Sequence, residues 1–454
     1  MLDSCSLAPL RRGVFEPLMY LINGSPRLRY WRELEKTQHL PEDELKERQW
    51  RRLIRMLRYA WENNAFYRAR LEGAGVSPEM VLSHEDLRLI PILCKEEVRA
   101  NTREMISQGF NMSELLHFKT GGSTGKSLDL YVTEECSELR NACARRHDRW
   151  TGWEPGEPIA AVWGNPCLPE SAKEKLKHWL IEPIIYLDTM CVTQETVKSF
   201  VAEWNTVRPT LLFGHAHSIY ILAKYIRDMS IADIRPRGIL STSMMLMPQE
   251  RKVIEDVFSA KVTDRYGCEE VSLIGSECEK HEGMHLNIEH LFIEFIKDDG
   301  SCAAPGEPGR IIITDLMNQA MPFIRYQVED MGVPCDRKCS CGRGLPLMSH
   351  VTGRVADFLI KRDGTKVAGV SLIENTLTKI PGIDQMQIIQ ESYDLILLRV
   401  VPATSFGDAA KRALSSYFLK LFGESVTIQV EIVASISPEA SGKYRFSICK
   451  IPQV

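Results

Sequence analysis

Length, composition and charge set the first limits on this chain. It has 454 residues, with 56 lysines and arginines against 60 aspartates and glutamates, and a formal net charge of −4. This length predicts more than one domain, and the small net charge argues against a nucleic-acid partner, which would favour a basic domain. With 44% hydrophobic and 26% charged residues, the composition is ordinary for a globular protein.

The cysteines and the apolar stretches indicate the compartment. The 13 cysteines are scattered along the chain, whereas a secreted disulfide scaffold is short and cysteine-dense. The apolar run from Val14 to Ile22 is broken by Glu16 and Pro17, so it does not resemble a secretion signal. No stretch has the apolar length of a membrane helix. We therefore expect a cytoplasmic protein with no membrane partner.

The first predicted elements are helices. The residues from about 42 to 72 place Leu53, Leu57 and Trp61 on one face, and a second helix is predicted from Glu96 to Ser107. Between these helices, Pro91 argues against a central strand.

The middle of the chain alternates strands with helices. Strands are predicted at 159–164, 211–215 and 238–243, and helices at 134–150, 218–226 and 248–258. This alternation is typical of a mostly parallel α/β sheet, in which ligands bind beyond the carboxyl ends of the strands. We therefore expect pocket walls at the turns that follow these strands. His215 and His217 lie in one such turn and are interpreted as structural histidines.

From about residue 285 the pattern becomes that of antiparallel strands. Strands are predicted at 291–296, 309–314, 383–389, 395–401 and 426–432, with a helix at 408–422. The predicted fold class is α/β. A large N-terminal domain, residues 1–353, has mixed and parallel sheets flanked by helices, plus a small β-rich subdomain. A small α+β domain, residues 354–454, follows.

A glycine-rich stretch before a strand-like run is the strongest single motif. Glycines leave backbone N–H groups uncovered, and successive N–H groups with nearby hydroxyls form an anion site suited to polyphosphate. A Walker A loop is rejected, because its first glycine position falls on Thr120 and a strand rather than a helix follows. A hairpin turn without a ligand remains the alternative. The stretch is Thr120, Gly121, Gly122, Ser123, Thr124, Gly125, Lys126 and Ser127.

Four further stretches carry residue types that suit nucleotide chemistry. An aromatic ring can stack on a base, and a carboxylate can hold Mg²⁺ against phosphates. Taken singly, each stretch is better explained as a solvated charged turn. The stretches are Thr263 to Glu270, Met321 to Asp330, Gly353 to Asp357 and Ser441 to Arg445.

Together, in this order, these stretches resemble the adenylate-forming superfamily of acyl-CoA synthetases, and in particular the phenylacetate–CoA ligase family. That family also has members that adenylylate a deazaflavin and members associated with capsular polysaccharide synthesis. The resemblance extends from about Leu53 to Lys443. It implies ATP, Mg²⁺ and coenzyme A as cofactors or substrates.

The resemblance also implies roles for individual residues. Thr120 to Gly125 would cover the ATP phosphates, and Lys443 would contact the α-phosphate and the carboxylate during adenylation. The remaining implied roles are adenine lining by Tyr266 and Gly267, Mg²⁺ binding by Glu270, and ribose binding by Asp330 and Arg354. Departures from the family pattern occur at Glu269, at Ala356, and at the bulky pair Met244 and Met245 beside a predicted pocket turn. Because methionines are bulky, apolar and adaptable, this pair predicts an apolar acid, either aryl or of medium chain length.

A structural zinc site is a separate prediction. Structural zinc takes four Cys or His ligands in a tetrahedron, and similar clusters occur in this family. We favour Cys278, His285, Cys339 and Cys341, while Cys335 and His281 stay open as replacements. Reduced cysteines without metal are the alternative.

The sequence therefore predicts ATP-dependent activation of a carboxylic acid to an acyl-adenylate, followed by transfer to coenzyme A. The C-terminal domain would move between the two half-reactions, with the segment near Arg354 as hinge. An amine acceptor, adenylyl transfer to a cofactor, and an inactive nucleotide-binding scaffold are the alternatives. The expected partners are the small-molecule acid and the acceptor, and a homodimer is left open.

Overall fold

The computed structural model describes residues 4–119, 128–163, 169, 171–189, 192–354, 358–363, 366–368, 372–373, 376–377, 379–437, 445 and 447–452. The helices of these residues are α1 (Ala8–Leu10), α2 (Glu16–Ile22), α3 (Arg27–Thr37), α4 (Glu42–Asn63), α5 (Ala65–Gly73), α6 (Lys95–Ala100), α7 (Glu134–Trp150), α8 (Ala172–Ile181), α9 (Gln194–Val207), α10 (Ala216–Asp228), α11 (Pro248–Phe258) and α12 (Asp408–Phe422).

The first thirteen strands lie before residue 355. They are β1 (Leu116–Lys119), β2 (Asp129–Val132), β3 (Ile159–Trp163), β4 (Ile184–Asp188), β5 (Leu211–His215), β6 (Gly238–Thr242), β7 (Val262–Cys268), β8 (Ser272–Ser276), β9 (Met284–Leu286), β10 (Leu291–Ile296), β11 (Gly309–Asp315), β12 (Tyr326–Cys335) and β13 (Leu347–Arg354). The last six are β14 (Phe358–Ile360), β15 (Lys366–Ala368), β16 (Ile383–Ser392), β17 (Leu395–Pro402), β18 (Thr427–Ile432) and β19 (Ser447–Cys449).

One mixed sheet of eleven strands organises the large part of the molecule. Its spatial order is β10-β11-β12-β13-β9-β8-β7-β6-β5-β3-β4. The strands β4, β3, β5, β6 and β7 pair in parallel, and the remaining pairs are antiparallel. The carboxyl ends of the parallel strands therefore meet at one edge, where ligands bind in sheets of this kind. The α/β fold class predicted from the sequence is confirmed.

Two hydrophobic cores support the two halves of this sheet. In the parallel half, Phe200, Trp204 and Phe258 pack from the helices onto buried strand residues such as Ile239. The antiparallel half packs against the N-terminal helices, and Leu53 of α4 is fully buried there. The sequence analysis missed β4, α8 and α9. In β4 the burial alternates, because this edge strand is only half covered.

Two predicted helices have different bounds in the structure. The helix predicted over 42–72 is divided at Asn64, where the backbone is extended. The Asn64 side chain caps the next helix by accepting a hydrogen bond from the Tyr67 amide at 3.1 Å. The helix predicted from Glu96 to Ser107 ends at Ala100. Beyond it, the Ser107 amide bonds to the Ala320 carbonyl at 2.9 Å, and this tertiary contact replaces the helical one.

The C-terminal part has its own sheet, in the order β18-β17-β16-β19, covered by α12. Its core, which includes Phe418, also takes in Met247 and contacts Met245, so the two parts of the molecule share apolar contacts. Polar contacts join them as well, because Lys224 Nζ lies 2.8 Å from an Asp384 carboxylate oxygen. No described helix is long and apolar enough to cross a membrane.

Candidate active site and metal centre

The hairpin of β7 and β8 and the more distant strand β12 of the same sheet carry the candidate nucleotide-binding residues. Tyr266 lies near the end of β7, and its hydroxyl donates a hydrogen bond to Asp330 Oδ2 at 2.7 Å. From the sequence, Tyr266 is expected to line the adenine base and Asp330 to bind the ribose of the same nucleotide. The structure brings the two side chains into direct contact, with the tyrosine ring partly exposed beside the carboxylate.

Gly267 follows Tyr266 at a point where the hairpin is tightly closed. A Cβ atom there would lie 2.5 Å from the Ser272 carbonyl oxygen and 3.0 Å from the Leu273 Cα atom. Only glycine fits this approach, so its first role in the structure is to let β8 pack against β7. The tight hairpin in turn fixes the direction of the Tyr266 ring.

Glu270 lies in the β7–β8 turn and is buried. Its Oε1 accepts a hydrogen bond from the Tyr326 hydroxyl at 2.9 Å and lies 3.7 Å from Lys95 Nζ. Burial, and then the charge of Glu270, raise the pKa of Tyr326, so the phenol remains a protonated donor. Carboxylate oxygens are the ligands that Mg²⁺ prefers, and a carboxylate held in place by two partners fits that role.

A bulge in β12 directs its acidic residues toward this site. Ile312 of β11 pairs with Gln327 and Arg310 pairs with Met331, so β12 has extra residues between these pairs. Glu329 lies in this bulge with a backbone φ of 66°, a left-handed conformation that is uncommon for a residue with a side chain. Bulges of this kind redirect side chains and often lie near functional sites.

Several candidate residues cannot be placed in the same way. Thr120 to Gly125, between β1 and β2, and Lys443 lie outside the described residues. The backbone of Arg354 ends β13 and pairs with Asp330, which puts it in register with the proposed ribose carboxylate.

An aromatic group lies at the carboxyl ends of β3 and β5, where the sequence predicted only pocket walls. The Trp163 ring stacks on Phe213 at 5.2 Å between centroids and tilts over His215 at 3.9 Å. The guanidinium of Arg265 lies 5.3 Å from the Phe213 centroid. Sequence reasoning did not single out Trp163, although its place directly before Gly164 at a strand end was the available signal.

A partly buried carboxyl group lies beneath the same edge. Asp264 of β7 accepts a hydrogen bond from Ser241 Oγ at 2.7 Å, and Glu277 lies close enough to accept from the Asp264 amide at 2.9 Å. Burial, and then the charge of Glu277, raise the pKa of Asp264 to about 7. This side chain is therefore a titrating group near neutral pH.

The candidate zinc ligands form a compact cluster beside the turn of the β8–β9 hairpin. The ligand atoms of Cys278, His285, Cys339 and Cys341 all lie within 4.8 Å of one another. Sγ of Cys278 is 3.6 Å from Sγ of Cys339, and Sγ of Cys341 is 3.3 Å from His285 Nε2. In tetrahedral zinc sites with bonds of about 2.0–2.3 Å, neighbouring ligand atoms are roughly 3.3–3.8 Å apart.

The surroundings of this cluster suit a metal. His285 Nδ1 lies 3.1 Å from the Leu345 carbonyl, so donation from Nδ1 leaves Nε2 as the free ligand atom. Burial lowers the pKa of His285 to about 4, which keeps the ring neutral and able to bind a metal. The amides of Lys280 and Arg343 donate to Cys278 and Cys341 sulfur at 3.4 Å.

The two residues left open as replacement ligands lie elsewhere. His281 Nδ1 contacts Glu277 at 3.2 Å. Cys335 ends β12, where it pairs with Leu347. Among the described residues, the four-membered set is therefore the one whose donor atoms converge.

Sequence comparisons place the chain among known proteins. Residues 359–450 match the family model of the CapK C-terminal domain. Protein CapK of Staphylococcus aureus is 24% identical over 459 residues, which cover 96% of this chain and 97% of CapK. A phenylacetate–coenzyme A ligase of Thermus thermophilus is 26% identical over 372 residues, which cover 78% of this chain and 79% of the ligase.

A solved structure agrees in fold. The crystal structure of 2-hydroxyisobutyryl-CoA ligase in the postadenylation state, in complex with R3-HIB-AMP, superposes with a TM-score of 0.73 at 22% identity. The match covers 92% of both chains and includes the C-terminal part. The chain is therefore similar in sequence to CapK and to a phenylacetate–CoA ligase over most of its length, and it shares the fold of 2-hydroxyisobutyryl-CoA ligase.

Proposed function

We propose that this protein activates a carboxylic acid with ATP to form an acyl-adenylate and then transfers the acyl group to coenzyme A. The observation that carries the proposal is the convergence of Tyr266, Asp330 and Glu270 beside the carboxyl ends of the parallel strands. An aromatic ring, a buried carboxylate and a second, cation-binding carboxylate suit the base, the ribose and the Mg²⁺-bound phosphates of one nucleotide.

The chemistry explains why these groups are needed. A carboxylate is a poor electrophile, and its attack on the α-phosphate of ATP forms a mixed anhydride while pyrophosphate leaves. Charge builds on the phosphate oxygens in this step, so fixed donors and cations lower the barrier. The N–H groups of Thr120 to Gly125 and the ammonium of Lys443 are proposed to supply this stabilisation. Glu270 would hold Mg²⁺, which neutralises phosphate charge when bound.

The second half-reaction requires a free path for coenzyme A. We propose that the part after Arg354 reorients between the half-reactions. The polar contacts that such a movement must break are the Lys224–Asp384 ion pair and the approach of Gln385 Nε2 to His217 Nε2 at 3.2 Å. Both pairs are polar or partly exposed, so replacing these contacts with hydrogen bonds to water costs little free energy. The apolar contacts of Met245 and Met247 with the C-terminal core must break as well.

The acid is proposed to be apolar, either aryl or of medium chain length. The rings of Trp163 and Phe213 offer an apolar surface at the strand ends. Met244 and Met245 were expected to line the same pocket, but Met245 contacts the C-terminal core. The aromatic pair therefore gives the stronger support for an apolar acid.

A structural zinc ion held by Cys278, His285, Cys339 and Cys341 is part of the proposal. Three thiolates and one imidazole make a closed set of four ligands, which is typical of structural rather than catalytic zinc. The cytoplasmic location and the homodimer left open by the sequence stay predictions.

ATP–pyrophosphate exchange across a panel of aryl, medium-chain and short acids tests the proposal. Exchange that depends on an apolar acid is expected, and the active acids are then offered coenzyme A and amines. Thioester formation supports the proposed acceptor, and amide formation favours the alternative. Highest exchange with acetate would contradict the apolar acid, and no exchange with any acid would favour an inactive scaffold.

A further inference from the structure

A buried lysine, for which the sequence predicted no role, lies between two acidic side chains of the candidate site. Lys95 is the first residue of α6, and its side chain is only 9% exposed. Its Nζ lies 3.7 Å from Glu270 Oε1 and 3.6 Å from Glu329 Oε2. Lysine is rarely buried without a partner, since an ammonium group is costly to remove from water.

The backbone explains how a residue of the N-terminal region reaches this position. The segment before Lys95 is docked on the start of β12, where Leu93 forms an isolated parallel bridge with Tyr326. The Leu93 amide bonds to the Arg325 carbonyl at 2.9 Å, and the Gln327 amide bonds to the Leu93 carbonyl at 3.0 Å. Lys95 is therefore held directly beside the bulge that carries Glu329.

The two carboxylates reach the lysine by different and constrained routes. Glu270 is buried and is also fixed by the Tyr326 hydroxyl. Glu329 reaches the same ammonium from a left-handed backbone position, a strain that persists only where the surroundings enforce it. Two carboxylates against one ammonium leave one net negative charge on the trio, so the group favours a further cation.

We infer that Lys95 is a positioning residue that holds Glu270 and Glu329 as a preformed pair of carboxylates for the magnesium ion that accompanies ATP. The inference rests on the proposed function and extends it, because it adds Glu329 as a second acidic residue at the cation. Without the ammonium, the buried carboxylate of Glu270 and the partly exposed carboxylate of Glu329 would repel each other and turn apart. The pair would then have to be assembled again each time the cation binds.

The test measures how nucleotide binding depends on magnesium. Binding of a fluorescent ATP analogue is followed while MgCl₂ is titrated into the wild type and into Lys95→Met, Lys95→Arg and Glu329→Gln. The control is Lys261→Met. Lys261 also pairs with a glutamate, Glu255, but its side chain is 73% exposed and it is distant from Lys95 in the sequence. Melting temperatures are recorded for every variant.

Lys95→Met and Glu329→Gln are expected to raise the half-saturating magnesium concentration by roughly tenfold, the equivalent of about 1.4 kcal/mol. Lys95→Arg should remain within about twofold of the wild type, and so should the control. A purely structural role would instead lower nucleotide binding equally at all magnesium concentrations. That result, or tighter magnesium binding in Lys95→Met, would overturn the inference, since the latter means the ammonium only competes with the cation.

Glu270→Gln separates this inference from the proposed function. If Glu270→Gln leaves the magnesium dependence unchanged, the proposed role of Glu270 fails and the inference fails with it. If Glu270→Gln changes it while Lys95→Met and Glu329→Gln do not, the proposed function stands and the inference is wrong. Should Lys95→Met not fold, Glu329→Gln and Lys95→Arg still decide the outcome.

Discussion

The hydroxyl of Tyr266 donates a hydrogen bond to Asp330 at 2.7 Å and so joins the β7–β8 hairpin to the bulge of β12. Tyr266 is partly exposed, whereas Asp330 is buried. The contact holds one face of the tyrosine ring beside a fixed carboxylate. A nucleotide that stacks on this ring would therefore present its ribose to Asp330.

The first prediction follows from this contact. Asp330→Ala should weaken binding of an ATP analogue by at least about tenfold, because the loss of a hydrogen bond to a charged group typically costs about 1.5–3 kcal/mol. Tyr266→Phe should weaken binding less, since the ring remains and only the orientation of Asp330 is lost. Fluorescence titration measures both. Tyr417→Phe in α12 is the control, and equal affinity in all variants would contradict a nucleotide site here.

The second prediction concerns the metal cluster. Purified protein is expected to contain about one zinc per chain, and His285→Ala should lose the metal and lower the melting temperature by about 5 °C or more. His281→Ala is a matched control, because His281 lies in the same segment but contacts Glu277. Elemental analysis with thermal unfolding gives the answer. Zinc retained in His285→Ala, or absent from protein never exposed to a chelator, would refute the site.

The third prediction uses the raised pKa of Asp264. Its pKa of about 7 in the folded chain lies above its ordinary value of 3.8. The stabilisation linked to its proton is therefore complete below about pH 4 and is lost as pH rises through 7. Between pH 6 and pH 8 this group should lower the free energy of unfolding by about 1 kcal/mol.

Urea unfolding at pH 6 and pH 8 measures this loss. Asp264→Asn should show less of it, because the amide does not ionise beside Glu277. Asp228→Asn is the control, because Asp228 is an exposed aspartate paired with Arg227. Between pH 6 and pH 8, its free energy of unfolding should fall by as much as that of the wild type. The same pH dependence in Asp264→Asn and the wild type would show that another group titrates.

Most of the architecture and part of the candidate site could be predicted from the sequence, for physical reasons. Alternating strands and helices in the middle region gave the parallel sheet, because buried strands there are nearly continuous in apolar residues. The breaks at Asn64 and after Ala100 were missed, since a side-chain cap and a contact to Ala320 override helical periodicity. Lys95 and Glu329 were missed because their meeting depends on a bridge between distant segments.

The fourth prediction concerns the acid. Trp163→Ala should raise the KM for the preferred apolar acid by roughly tenfold, in line with about 1.5–3 kcal/mol for burying a large apolar group. Trp179→Ala is the control, because Trp179 is 45% exposed on α8. Pyrophosphate exchange across the acid panel provides the measurement. An unchanged order of acid preference would remove Trp163 from the pocket.

The last prediction concerns Lys443, which lies in the C-terminal part beyond Arg354. Its ammonium is proposed to bridge the α-phosphate and the carboxylate during adenylation, where removal of one electrostatic contact typically costs on the order of a hundred- to thousandfold in rate. Thioester formation uses another orientation of this part of the chain. Lys443→Ala should therefore lose pyrophosphate exchange and still convert a supplied acyl-adenylate to the thioester.

Two measurements on one variant make this result decisive. Pyrophosphate exchange reports the first half-reaction, and release of AMP from a supplied acyl-adenylate with coenzyme A reports the second. Lys450→Ala is a matched control, because Lys450 is an exposed lysine from the same C-terminal stretch of the sequence and pairs with Glu391 at 2.8 Å. Equal loss in both half-reactions would indicate misfolding. No loss in either would make Lys443 an ordinary surface lysine, which is the usual place of lysine in proteins.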